Sequence, residues 1–189
     1  MYHASYMNPY SYYVGVPMYN YPRQSVNWTS PNGVYVNRFN SFRSPNGVGS
    51  TLRTDFGPKP FVANINEATK QNNTYRTALW TGTHLQVTLM SLNVGEDIGL
   101  EMHPDVDQFL RIEQGQGIVQ IGETKGNLNF QKCVYDDSAI MIPAGTWHNL
   151  TNTGNIPLKL YSIYAPSQHP HGTVHVTKKD AMAAEGHYN

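Results

Sequence analysis

The chain holds 189 residues in 21.2 kDa, with 13 basic side chains balancing 13 acidic ones. Only 14% of the residues are charged, against roughly 25% in an average soluble protein, and Asn, Gly, Pro, Ser, Thr and Tyr fill the gap. Zero net charge and an isoelectric point near 7.1 argue against a nucleic-acid binder, which would normally carry a basic patch, the apolar runs are too short to span a bilayer, and the lone Cys133 excludes an intrachain disulfide framework.

The N-terminus has no basic region leading into an apolar run, so synthesis in the cytoplasm without a secretory signal is expected. Residues 1–59 form a polar, Gly/Pro-punctuated lead-in. Its first part, Met1 to Tyr21, carries seven of the thirteen tyrosines, and His3 is its only titratable side chain other than the tyrosine phenols. Pro9 and Pro17 interrupt it, Pro22 closes it, and it has no sustained periodicity, so a disordered tail is expected. Ser30-Pro31-Asn32-Gly33 and Ser44-Pro45-Asn46-Gly47 are turn signals.

The folded domain is expected over 60–176. Ile65 to Gln71 suits a short helix. Runs of β character follow at 76–80, 85–92, 99–103, 108–113, 117–121, 127–134, 139–142, 147–151 and 158–164, with Gly, Asn and Pro between them. Many short strands at close spacing predict an all-β sandwich or barrel. Gly115-Gln116-Gly117 reads as a hairpin and not a phosphate loop, because no helix-forming run follows it. Cys133 reads as a small buried hydrophobe. Residues 177–189 close the chain with a short helix and tail: Thr177 suits an N-cap, with Asp180 completing it and Gly186 ending it.

Two stretches carry the chemistry. In the first, Glu101 and His103 sit two apart and so leave one face of a strand. Pro104-Asp105 then turns the chain, and Gln108 opens the next strand on the face of Leu110 and Ile112. In the second, Pro143-Ala144-Gly145 precedes a strand whose His148, Leu150 and Asn152 share a face. Asp105 and Asp107 read as solvated turn carboxylates, and Arg111 should point away from the interior.

These segments resemble the paired motifs of the cupin superfamily. Gly95, Glu101, His103, Gln108 and Gly115 fall on the positions of the first motif. Pro143, Gly145, His148 and Asn152 fall on those of the second, with Asp137 where its first Gly belongs. The resemblance implies a cupin double-stranded β-helix, a jelly-roll-like antiparallel barrel with one divalent metal in its mouth. Carried over by position, the metal ligands are Glu101, His103, Gln108 and His148, a nitrogen and oxygen set suited to Zn, Mn, Fe, Ni or Co. The usual family set is three His and one Glu, so this one departs from it. Two readings stand for Glu101, ligand or free general base, and two for Gln108, direct ligand or holder of a water.

The phosphomannose-isomerase-like type of small bacterial cupin is the subtype implied, acting on a sugar or small carbonyl compound. The motifs contain no Lys or Arg cluster for a sugar phosphate. Dioxygenase or decarboxylase chemistry usually goes with the His-rich set and ranks lower. The alternative is a non-catalytic structural or binding protein. Its tyrosine-rich tail is similar in composition to those of bacterial spore-coat proteins, and coat-type assembly would then run through the tail. Barrels of this kind commonly pair, so a homodimer is implied, with a small-molecule ligand and neither nucleic acid nor membrane as partner. His169, His171 and His175 leave two readings open, a second metal site or a segment packed back across the barrel mouth.

Overall fold

A computed structural model of the chain describes residues 55–185. The tyrosine-rich tail, both Ser-Pro-Asn-Gly turns and Gly186 lie outside the described residues, and with them the expectations of disorder and coat assembly.

Helix α1 (Ile65–Gln71) is followed by β1 (Arg76–Thr81), β2 (Gln86–Leu92), β3 (Asp107–Gln114), β4 (Gln116–Gly122), β5 (Phe130–Tyr135), β6 (Ala139–Ile142), β7 (Trp147–Asn152), β8 (Leu158–Ala165), β9 (Val174–His175) and α2 (Lys178–Glu185). The strands form a six-stranded sheet, β6-β3-β8-β2-β1-β9, and a three-stranded sheet, β5-β4-β7, and every named pair is antiparallel. The all-β expectation holds, as do both helices. Asn64 caps α1 by accepting from the Glu67 amide at 3.2 Å. At α2 the Thr177 hydroxyl accepts from the Asp180 amide while an Asp180 oxygen accepts from the Thr177 amide, which satisfies two otherwise unpaired N–H groups reciprocally. No helix among the described residues is long and apolar enough to cross a membrane.

The alternation of side chains along the strands divides the barrel interior by polarity. Leu92, Ile112, Leu150, Leu158 and Leu160 fill one level as a dry core. Along β8, Leu158 and Leu160 give way to the buried Ser162 and Tyr164, and β3 pairs Gln108 with Tyr164 at that polar level. The other face of the large sheet is covered too: Leu79 and Leu89 pack with Ala68 and Ile65 of α1 and with Phe56 and Phe61. With both faces covered, β2 is buried along nearly its whole length, its polar Gln86, Thr88 and Ser91 included.

Three expectations change. Gly115 does not close a hairpin, because β3 and β4 belong to different sheets. It turns a corner between them with φ +91°, and a Cβ there would lie 3.1 Å from the Leu158 backbone, so the position favours glycine on two counts. Cys133 is exposed on β5, not buried. The run at 99–103 forms no regular strand: only Asp97 and Glu101 bridge to β7, opposite Thr151 and His148. That register gives the 97–101 side one more residue than its partner, and Gly99 with φ +88° takes up the excess, as in a glycine β-bulge.

Residues before Pro60 also pack. Phe56 stacks on Phe61 with ring centroids 4.2 Å apart, and its amide donates to the Leu79 carbonyl at 2.9 Å. The Asp55 carboxylate accepts from the amides of Gly57, Thr81 and Gly172 at 2.9–3.0 Å and from the Thr81 hydroxyl. Burial opposes its ionisation, but these bonds and the neighbouring His171 hold it below the usual carboxylate range.

Removing residues 1–54 should therefore leave a cooperatively melting domain, while removing 1–59 should cost about 3–5 kcal/mol more through lost Phe56 packing and Asp55 bonds. Equal urea midpoints for the two truncations would refute this. Because the folded Asp55 pKa is depressed, its stabilisation is complete above the unfolded value of about 4 and is lost as pH falls through the folded one. The stability gap between wild type and Asp55→Asn should thus be flat near neutral pH and shrink in acid, as measured by urea unfolding.

Candidate metal centre

The group begins with a backbone pairing. Glu101 donates its amide to the His148 carbonyl at 3.1 Å and accepts from the His148 amide at 2.9 Å. Residues that exchange both bonds lie opposite each other and present their side chains to one face. His103 follows the end of this pairing, and its carbonyl accepts from the Gly145 amide at 2.7 Å. Gly145 adopts φ +74°, which ties the Pro143–Gly145 turn of the second motif to the first. Convergence of Glu101 and His103 thus rests on a bulge and this cross-link, not on the plain strand alternation that the sequence suggests.

Glu101 Oε1 stands 3.5 Å from His103 Nε2 and 3.4 Å from His148 Nε2. All three atoms are buried without a hydrogen-bond partner, and the three residues form a group able to hold a metal ion. Ligands bound at about 2.0–2.2 Å to one ion stand roughly 3.0–3.5 Å apart, so these spacings fit. His148 Nδ1 lies 3.0 Å from the Thr146 carbonyl. A carbonyl can only accept, so Nδ1 carries the proton and the Nε2 lone pair of the neutral ring is turned to the group.

Gln108 is buried on β3, where its Nε2 donates to the Ser162 hydroxyl at 3.1 Å. That bond orients the amide, and Gln108 Oε1 is left buried with no partner. Oxygen and nitrogen donors with no thiolate suit a borderline or hard divalent ion.

Arg76 is the charged neighbour that motif reading missed, because it belongs to β1 and lies outside both motifs. It is 1% exposed and its Nη2 stands 4.0 Å from Glu101 Oε2. Burial of Glu101 opposes ionisation, but His103, His148 and Arg76 outweigh it and hold the carboxyl well below its usual range. Glu101 is therefore a carboxylate at any physiological pH.

The other sequence expectations sort by contact. Arg111 points away from the interior and pairs with Glu113 and Asp137. Asp107 caps the second-motif turn by accepting from the Ala144 amide at 2.9 Å. Asp137, standing where that motif has glycine, adopts φ +67°, a conformation that Asp tolerates better than most residues. Asn152 is structural: its amide donates to the carbonyls of Leu92, Asn93 and Ile156 and its oxygen accepts from the Gly154 amide.

Among the described residues, His169, His171 and His175 do not gather into a metal-holding group. The segment that carries them packs back across the mouth, where it walls a cavity of about 1020 Å³ together with Glu101, Met102, His103 and Trp147.

A Glu/His group able to hold a metal ion, set in an antiparallel double-sheet barrel, is the arrangement of a cupin, and the comparisons agree. A family model described as "Cupin domain" matches residues 88–164. The uncharacterised protein YrkC of Bacillus subtilis (strain 168) is 68% identical over 185 residues, 95% of this chain and 99% of that one. The uncharacterised protein L612 of Acanthamoeba polyphaga mimivirus is 43% identical over 119 residues, covering 62% of this chain and 72% of that protein. The crystal structure of BH2720 from Bacillus halodurans is 70% identical and superposes with a TM-score of 0.68, covering 69% of this chain and 98% of that chain. The chain belongs to the cupin superfamily.

Replacing Asn152 with Ala should strand several buried carbonyls and cost about 2–4 kcal/mol while leaving bound metal unchanged. Denaturant melts paired with metal analysis check this. Loss of metal at full stability would make Asn152 part of the centre instead.

Proposed function

We propose that this protein is a metal-dependent cupin that holds one divalent ion at Glu101, His103, Gln108 and His148 and acts on a sugar or small carbonyl compound with isomerase-type chemistry. The observation that carries this reading is the cavity: Glu101 and His103 form part of the wall of a space of about 1020 Å³. A scaffold barrel has no need of such a space beside the unpartnered Glu101 Oε1 and His103 Nε2. A divalent ion bound there supplies Lewis-acid polarisation of a carbonyl or hydroxyl oxygen.

The chain's own residues set the conditions. Arg76 offsets the Glu101 charge, so the centre keeps a net positive field for an oxygen that gains charge as a proton leaves carbon. Trp147, Met102 and Leu100 line the cavity with apolar surface and exclude water from the reacting end. Glu101, as a ligand, is committed to the ion, and no other carboxylate lines the cavity among the described residues. Proton transfer between adjacent carbons then falls to an imidazole.

Metal content per chain, measured by plasma mass spectrometry on protein from its native source, tests the reading. Wild type should carry roughly one ion per chain, and both His148→Ala and Glu101→Ala/His103→Ala should lose it while keeping a β-rich circular dichroism spectrum. Unchanged metal in His148→Ala would sink the site. Loaded protein that interconverts no aldose and ketose in a broad sugar panel would overturn the isomerase chemistry.

A further inference from the structure

We propose that His169, supplied by the segment after β8, is the residue through which the cavity contacts a molecule bound at the Glu101/His103/His148 group, its Nε2 forming a hydrogen bond with an oxygen of that molecule. The inference rests on the metal-centre reading above and adds a contact residue that neither motif contains.

The backbone of His169 is held from both sides by one side chain. Gln86 is fully buried on β2; its Nε2 donates to the His169 carbonyl at 2.8 Å, and its Oε1 accepts from the His169 amide at 2.9 Å. Around this clamp, the Ser167 hydroxyl donates to the Gly82 carbonyl at 2.9 Å and the Gly172 amide donates to Asp55 at 3.0 Å. Val174 then pairs with Thr77 in β1. A connecting segment fixed at so many points holds its side chains in set positions, as a contact residue requires.

The ring itself lines the cavity and meets Tyr164 edge-on with centroids 5.1 Å apart. Its Nε2 is buried with no hydrogen-bond partner, and buried polar atoms of this kind call for a partner that arrives with a ligand or water. The other cavity histidines are engaged: His171 Nε2 lies 3.2 Å from the Gly57 carbonyl and 3.6 Å from Asp55, and His175 has a partner of its own. Burial first, and then the Arg76 charge, pushes the His169 pKa down to about 3, so the ring is neutral near pH 7. It then offers one N–H and one lone pair.

A purely structural role, packing against Tyr164, predicts different behaviour. Gln86 grips the backbone and not the ring, so substitutions at 169 should leave the segment in place. The test uses full-length protein loaded with cobalt and titrated with acetohydroxamate, a small bidentate oxygen chelator, following the cobalt absorption bands and metal stoichiometry. His169→Ala should bind cobalt as wild type does but bind acetohydroxamate about tenfold more weakly. His169→Gln, which places an amide near the Nε2 position, should stay within about threefold of wild type although it loses the ring packing as fully as Ala does. Equal acetohydroxamate affinity in wild type and His169→Ala overturns the inference while the metal centre stands. Gln as weak as Ala overturns it in favour of packing. Wild type that takes up no cobalt overturns the metal-centre reading and this inference with it.

Discussion

The reciprocal backbone pairing of Glu101 with His148 is the constraint on which the centre depends. It joins the two motif segments, far apart in sequence, at one rung of an interrupted ladder and puts a carboxylate and an imidazole on the same side. The Gly99 bulge sets that rung: without the extra residue, alternation would turn Glu101 to the opposite face. Asn152 secures the far end of the same ladder, since Gly95 donates to its carbonyl and Glu96 accepts from its amide. The motif's glycines and its asparagine thus serve the geometry of the backbone, which leaves the side chains of Glu101, His103 and His148 grouped and able to hold a metal ion.

A second set of residues builds the mouth, and none of it belongs to the motifs. Asp55 binds the amide of Gly172, and Gln86 binds both backbone groups of His169. These side chains do what a neighbouring strand would do, pairing with backbone groups that would otherwise be buried and unsatisfied. The segment after β8 can therefore cross the barrel opening without a sheet of its own. Arg76 balances Glu101 from β1, so a buried carboxylate is kept ionised without a counter-charge in the cavity itself.

Local signals were legible wherever the physics is local. The alternation in β3 and β7 correctly turned Gln108, Leu110 and His148 inward, and Thr177 with Asp180 marked the start of α2, because periodicity and capping depend on residues a few positions apart. Gly115 and Cys133 were misread for one reason. Whether a turn closes a hairpin or a corner, and whether an edge-strand residue is covered, depends on which strands become neighbours. The two-residue β9 and the role of Arg76 left no local trace at all.

Strand patterning and turn signals by themselves determined an all-β domain, and the resemblance of its two motifs to those of cupins implied Glu101, His103, Gln108 and His148 as candidate ligands. Strand periodicity and turn chemistry are written residue by residue, and the family spacing constrains many positions at once. Only the tertiary structure decided that Glu101 and His103 converge through a bulge, that Arg76 lies beside Glu101, and that the histidine-rich segment after β8 packs across the mouth and, among the described residues, gathers into no metal-holding group. Each of those outcomes depends on contacts between distant parts of the chain, where burial and unsatisfied hydrogen bonds select the partner and sequence neighbours carry no information about it.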